Sequence, residues 1–279
     1  MAEIKASDVK ALRDNTGAGL MECKKALMEC DGDLAAAEKL LREKGLAAMA
    51  KRADRATAEG RIFIRQVGNK IAVVEVTCET DFVSGNEEFA KLGEDLLDLV
   101  MANNYTKVEP DMEAKLNDLA SLKFRENMSI SKVMNFEIPA DGTGAFYVHS
   151  DKKTAAVVIL KGSNSDVAKT FAYDCCLHLA AFTPAYLSKK DVPETYINDQ
   201  KDIFKAQMDQ DPKMAGKPEN VKDGILQGKI NKHLAEICFE DQMFVKDDKK
   251  SVTAKLAETG KEVGATLSFA TAQLLLLGK

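Results

Sequence analysis

A hairpin followed by a long amphipathic helix is written twice along this chain, 84 residues apart when Ala72 is set on Ala156. In the first copy, Arg61-Ile-Phe-Ile-Arg65 and Ile71-Ala-Val-Val-Glu-Val76 flank Val67-Gly-Asn-Lys70. Runs of β-branched residues around a Gly-Asn pair predict an antiparallel hairpin. Phe89, Leu92, Leu96, Leu97 and Val100 then recur at helical spacing, the mark of a helix with one apolar stripe. The second copy reads Ala145-Phe-Tyr-Val148, a turn at Ser150-Asp-Lys-Lys153, then Ala155-Ala-Val-Val-Ile-Leu160. Its helix carries Val167, Phe171, Cys175, Leu179 and Phe182. An apolar sheet face has to be covered, and the helix that follows is the nearest cover. Two related α+β subdomains are therefore expected, over residues 56–140 and 141–265. Two units are too few for a solenoid.

Residues 1–55 read instead as three short helices. Ser7 is the expected N-cap of the first, which Thr16-Gly17-Ala18-Gly19 ends. The second presents Leu20, Lys24 and Leu27 at helical spacing. Asp33 caps the third, which runs through Leu34, Ala37, Leu40 and Leu41, with Gly45 expected just past its end. So small a bundle buries little by itself, and a docking role follows. A basic, small-residue linker with Lys51, Arg52 and Arg55 leads out of it. Within the second subdomain, residues 190–235 carry two narrow apolar stripes separated by Gly216-Lys217-Pro218. That pattern predicts an inserted helical hairpin, of coiled-coil type if it projects. After a short helix near Val252–Leu256, residues 266–279 form a C-terminal segment read as a strand returning to a core sheet.

Composition narrows the function. The chain is 279 residues long with net charge −5 and no Trp, and 6% of it is aromatic. An acidic surface repels phosphate backbones, and few rings are available for stacking bases, so direct nucleic-acid binding is not expected. Six scattered cysteines contain no C-x-x-C pair, which removes the usual zinc framework and leaves small buried thiols of a reducing compartment. The N-terminus has no signal-peptide core and the longest apolar runs are far too short to span a bilayer, so a cytoplasmic protein without membrane contact is expected. Catalytic signatures are missing too. The nearest string to a P-loop, Gly224-Ile-Leu-Gln-Gly228-Lys229-Ile230, is one residue short and lacks the hydroxyl that holds magnesium. His149, His178 and His233 lie far apart. No catalytic residue, metal site or cofactor is assigned.

One segment stands out, Glu75-Val-Thr-Cys-Glu-Thr80-Asp81-Phe82-Val83, where the first hairpin gives way to its helix. Phe82 follows an acidic residue at a loop tip, where a large ring in water is costly. It could be an exposed contact. Alternatively Phe82 or Val83 packs beneath the helix as a staple, with Ser84 capping and Glu87 completing a capping box. Residue chemistry alone leaves both open.

Thr80-Asp81-Phe82-Val83 resembles the T-D-F-V signature of bacterial translation elongation factor Ts. Leu12-Arg13-x-x-Thr16-Gly17-Ala18-Gly19-x-Met21-x-Cys23-Lys24-Lys25-Ala26-Leu27 is similar to that family's other signature, and the order of modules matches along essentially the whole chain. Departures are Thr77 where the family usually has Asn, Gly85 where a basic residue is common, and Leu20 for a frequent Met. The resemblance implies a fold with a ubiquitin-associated-like N-terminal module and a non-enzymatic role. The implied partner is the GTPase elongation factor Tu, from which Thr80, Asp81, Phe82 and Val83 would release GDP by disturbing its magnesium site. It also implies partner contacts at Arg13, Leu20, Met21, His149, Phe244 and Val245. A higher-order complex through the helical hairpin is a further expectation. Two other classes fit parts of the chain. A scaffold would bind only through residues 1–55, and an enzyme would assemble distant carboxylates around His149 or His178.

Overall fold

Gly17 ends the first helix because it takes φ 69°, a left-handed conformation that a Cβ disfavours, and its N–H returns to the Arg13 carbonyl at 2.7 Å. A computed structural model describes residues 4–214 and 216–279. The first three residues of the N-terminal module, and Ala215 in the helical-hairpin stretch, lie outside the described residues. Helix α1 is Ala6–Thr16, α2 Leu20–Glu29 and α3 Leu34–Ala50. The Asp33 carboxylate starts α3 by accepting from the N–H groups of Ala35 and Ala36, at 2.9 and 3.1 Å. Val9, Leu12, Cys23, Ala26, Leu27, Ala37 and Leu41 close over a small core.

Three local expectations are corrected. Lys5, not Ser7, occupies the N-cap of α1, and Ser7 sits in the first turn. Gly45 lies inside α3 rather than past its end. A Cβ there would meet the Ser121 carbonyl oxygen at 2.9 Å, so the glycine serves a close approach of chains, not a helix stop. On α2 the buried face is Cys23, Ala26 and Leu27, which turns Leu20 and Lys24 outward.

The chain divides into two units. The first holds the described residues up to Glu137, with Val148–Thr154 and Leu275–Lys279; the second holds Ile138–Tyr147 and Ala155–Leu274. In the first, β1 (Glu59–Val67) and β2 (Lys70–Cys78) pair antiparallel around Gly68-Asn69. A one-turn helix α4 (Asp81–Ser84) precedes α5 (Glu87–Asn103). Phe89, Leu92, Leu96, Leu97 and Val100 of α5 pack on Ala72, Val74, Val76 and Cys78. Fully burying a side chain of this size contributes roughly 1.5–3 kcal/mol, so this stripe is the main anchor of the unit. Helix α6 (Pro110–Leu119) is followed by a wide turn over Ala120–Phe124 and then β3 (Met128–Glu137), which pairs antiparallel with the other edge of β2. The ladder slips at Glu75/Val76, so Ile130 and Val133, three apart, are both buried. Glu75 is 1% exposed on β2, and its carboxylate is satisfied by Lys132 Nζ at 2.9 Å, Ser131 Oγ at 2.6 Å and the Gly278 N–H at 3.0 Å.

In the second unit, β4 (Thr143–Val148) and β5 (Thr154–Lys161) form a sheet that continues to β8 (Ser268–Leu276), in the order β4-β5-β8. Helix α7 (Asp166–Phe182) begins at Ser165, whose hydroxyl accepts from the Ala168 N–H at 3.3 Å. Its Phe171, Cys175 and Leu179 meet Ala156, Val158 and Leu160 of β5. Helices α8 (Glu194–Asp209) and α9 (Glu219–Ile237) pair around Val192, Ile230, Leu234 and Cys238. A two-stranded ribbon, β6 (Met243–Phe244) with β7 (Asp247–Ser251), leads into α10 (Val252–Glu262). The chain is α+β, with its pairs β1/β2, β2/β3 and β6/β7 antiparallel.

Candidate partner-docking site

The two hairpin-plus-helix copies differ most between strand and helix. Residues 162–165 suffice to join β5 to α7, whereas 79–86 join β2 to α5 and contain α4. The extra chain is the Thr80–Val83 motif. Thr80 is the N-cap of α4, its hydroxyl oxygen accepting from the Val83 N–H at 3.4 Å. The cap of α5 is Asn86, which accepts from the Glu88 N–H at 2.9 Å; Ser84, expected as that cap, is buried and donates to the Asp81 carbonyl at 3.2 Å. Phe82 and Val83 are adjacent on this single turn and take opposite environments. Val83 goes in, at 8% exposed, and joins the core of α5. Phe82 goes out, at 86% exposed, beside exposed Asp81. Burial of Val83 and exposure of Phe82 thus fall on adjacent residues, and Ser84 does not cap α5.

The corner is held by a carboxylate that the sequence reading did not single out. Glu126 Oε2 accepts from the backbone N–H groups of Glu79 and Thr80, each at 3.0 Å, and Oε1 accepts from the Thr80 hydroxyl at 2.5 Å. Glu79 reciprocates: its Oε1 accepts from the Asn127 N–H at 2.6 Å, and Arg55 pairs with it at 3.2 Å. The Asn127 hydrogen bond, assisted by Arg55, holds the Glu79 carboxyl below its ordinary range. No local pattern links Glu126 to Thr80, because 46 residues separate them.

The tip of the β4–β5 hairpin also belongs to the first unit. The Lys152 carbonyl accepts from the Ile62 N–H at 2.8 Å, and Lys153 Nζ pairs with Glu59 at 2.5 Å. That bond raises the Lys153 pKa, with smaller pulls from Asp151 and from Asp81. His149 is exposed on this tip. On the helical module Arg13 is exposed, and Leu20 and Met21 are 51% and 64% exposed at the start of α2.

Phe244 and Val245 lie in the second unit. Phe244 is 3% exposed, its ring 5.5 Å from Phe171 between centroids, and serves the second unit's core; the Val245 N–H donates to His178 Nδ1 at 3.1 Å. His178 itself is fully buried, and its Nε2 bonds Gln242 Oε1 at 2.9 Å. Both ring nitrogens are engaged, which is a structural role. A cavity of about 340 Å³ opens between α2, α3 and residues 121–125, but its Glu22 and Glu29 are paired with Arg125 and Lys44 rather than with a nucleophile. Among the described residues no group of three or more His, Cys, Asp or Glu could hold a metal ion, and no helix is long and apolar enough to cross a membrane. Five of the six cysteines are buried, with Cys30 half-buried.

The site thus combines an exposed ring on a one-turn helix, an acidic neighbour and an exposed apolar pair on the helical module. The family model described as elongation factor TS matches residues 79–273. Over 99% of both chains, the sequence is 50% identical to elongation factor Ts of Treponema denticola and 46% identical to that of Treponema pallidum. It is 38% identical to elongation factor Ts of Clostridium acetobutylicum, over 96% of this chain and 90% of that one.

Proposed function

This chain belongs to the elongation factor Ts family of translation elongation factors, and we propose that it speeds release of GDP from the GTPase elongation factor Tu. The observation that carries this reading is Phe82, 86% exposed on a corner that hydrogen bonds tie to Glu126 and Asn127. A bare phenyl ring forgoes burial worth roughly 1.5–3 kcal/mol in the free chain, and that free energy becomes available on docking. Phe82 enters the partner's nucleotide domain as an apolar wedge near its magnesium ion. Asp81 adds a charge and hydrogen-bond acceptors at the same place. Once the metal is displaced, the phosphate charges of GDP are less neutralised and the nucleotide leaves. Leu20, Met21 and Arg13 provide a second contact from the helical module, and His149 a third from the hairpin tip. No covalent bond is made or broken by this chain, and neither a metal nor a cofactor of its own is needed. The place of action is the cytoplasmic translation apparatus.

Coupling of this kind is reciprocal: if the factor weakens GDP binding, GDP weakens factor binding by the same ratio, typically 1–3 kcal/mol. Mixing the chain with elongation factor Tu carrying a fluorescent GDP, against excess unlabelled GDP, tests it in a stopped-flow instrument. Release should accelerate with factor concentration, and raising free GDP should weaken the complex in proportion. A release rate indifferent to the factor would refute the proposal.

A further inference from the structure

The geometry points to Glu126 as a positioning residue: its carboxylate latches the Thr80 corner so that Phe82 and Asp81 stand in one fixed orientation. Beyond the turn's own bonds, Ser84 N–H to the Thr80 carbonyl at 3.2 Å and Gly85 N–H and Ser84 Oγ to the Asp81 carbonyl at 2.7 and 3.2 Å, the corner has few other restraints. Val83 is its only deeply buried apolar side chain, and the Thr80 cap bond is long at 3.4 Å. A one-turn helix has no cooperativity of its own to hold it. Against this, one carboxylate receives three donors, two from backbone and one from the Thr80 hydroxyl. Hydrogen bonds to a charged acceptor are roughly twice as strong as neutral ones.

The latch is also tied to the helical module. Leu122 is buried in the module's core with Leu12, Leu27 and Leu41. Lys123 pairs with Glu88 at the start of α5, and Arg125 with Glu22 of α2, next to exposed Met21. Asn127 donates its side-chain amide to the carbonyls of Ala53 and Arg55, at 3.0 and 2.7 Å. Residues 122–127 thus form a strut that grips α2 at one end and the Thr80 corner at the other. Both exposed patches are fixed relative to each other by this short run, which makes the wedge pre-organised rather than searching for its site.

The activity arm of the test rests on the exchange reading; the first arm does not. Hydrogen exchange on the free, full chain should show the amides of Glu79 and Thr80 opening about tenfold faster in Glu126→Ala, the loss expected for one charge-assisted hydrogen bond. Amides of the α5 core should be unaffected. Glu126→Gln keeps the side-chain volume and one acceptor oxygen, and should fall between, which covers the case in which the alanine variant folds poorly. With elongation factor Tu loaded with fluorescent GDP, the maximal release rate in Glu126→Ala should drop roughly tenfold or more, as displacement of a contact by about 1 Å does. The double variant Phe82→Ala, Glu126→Ala should be slowed by far less than the product of the two single effects, because the latch acts through the ring and the Asp81 carboxylate it orients. Unchanged amide exchange at Glu79 and Thr80 overturns the latch outright. Independent, additive effects in the double variant overturn positioning and leave a general stability role. If Phe82→Ala itself releases GDP at full rate, the wedge role of Phe82 fails, and the amide data still decide whether Glu126 orders the corner.

Discussion

Phe82 and Phe89 are the same residue type seven positions apart, yet their removal should have opposite consequences. Phe89 is 0% exposed in the core beneath α5, so Phe89→Ala should cost about 3–5 kcal/mol of stability. Phe82 is 86% exposed, which leaves about one-seventh of its burial value in the free chain, ~0.4 kcal/mol. With a urea dependence of about 2 kcal/mol per molar, the midpoint should fall by about 2 M for Phe89→Ala and by about 0.2 M for Phe82→Ala. Nucleotide release should rank the other way. A lost coupling of about 1–3 kcal/mol corresponds to roughly 5–150-fold slower GDP release with Phe82→Ala. Circular dichroism in urea and stopped-flow release on the same preparations check both numbers. If Phe82→Ala moves the urea midpoint as far as Phe89→Ala does, the ring is a core residue in solution and the wedge mechanism is wrong.

Two further outcomes follow from the interior. Gly93→Ala on α5 would place a Cβ 2.3 Å from the Phe63 ring, so the usual gain of replacing a helical glycine should be reversed. A net loss of about 1–3 kcal/mol, seen as a lower melting temperature, is expected from overpacking. The second concerns His178. Burial pushes its imidazole below the ordinary range, although the Gln242 hydrogen bond opposes this, and the Val245 N–H at Nδ1 places the proton on Nε2. The unfolded chain takes up a proton near pH 6.5 while the folded chain resists. Stability of the second unit is therefore complete above that pH and is lost as the pH falls below it toward the folded value. Urea midpoints measured between pH 7.5 and 5 should decline, and His178→Gln should flatten that slope.

Several elements could be read directly because their cause is local. The hairpin β1–β2 follows from β-branched runs around Gly68-Asn69, and α5 from a stripe spaced at 3.6 residues. The cap at Asp33 is a contact between near neighbours. Strand β3 carries no such local signal. Its pairing slips beside Glu75/Val76, and the bulge breaks the two-residue alternation by which a strand announces itself. Gly45 misled for a related reason: glycine at a helix end and glycine under a crossing chain look alike until Ser121 is in place.

At the docking corner, the chain's own order of residues determined that a strand must turn into a helix at Thr80–Val83 and that an aromatic ring sits at the turn. Which of Phe82 and Val83 would point to solvent was settled by the phase of a single helical turn on a finished core. Phe244 stayed inside for the same kind of reason, because Phe171 and His178 close around it. Glu126 and Asn127 became part of the corner only when β3 brought residues 126–127 alongside the end of β2. Short-range spacing records how a segment coils or extends. It carries no trace of a carboxylate that reaches back across 46 residues, because that contact exists only after the sheet has closed.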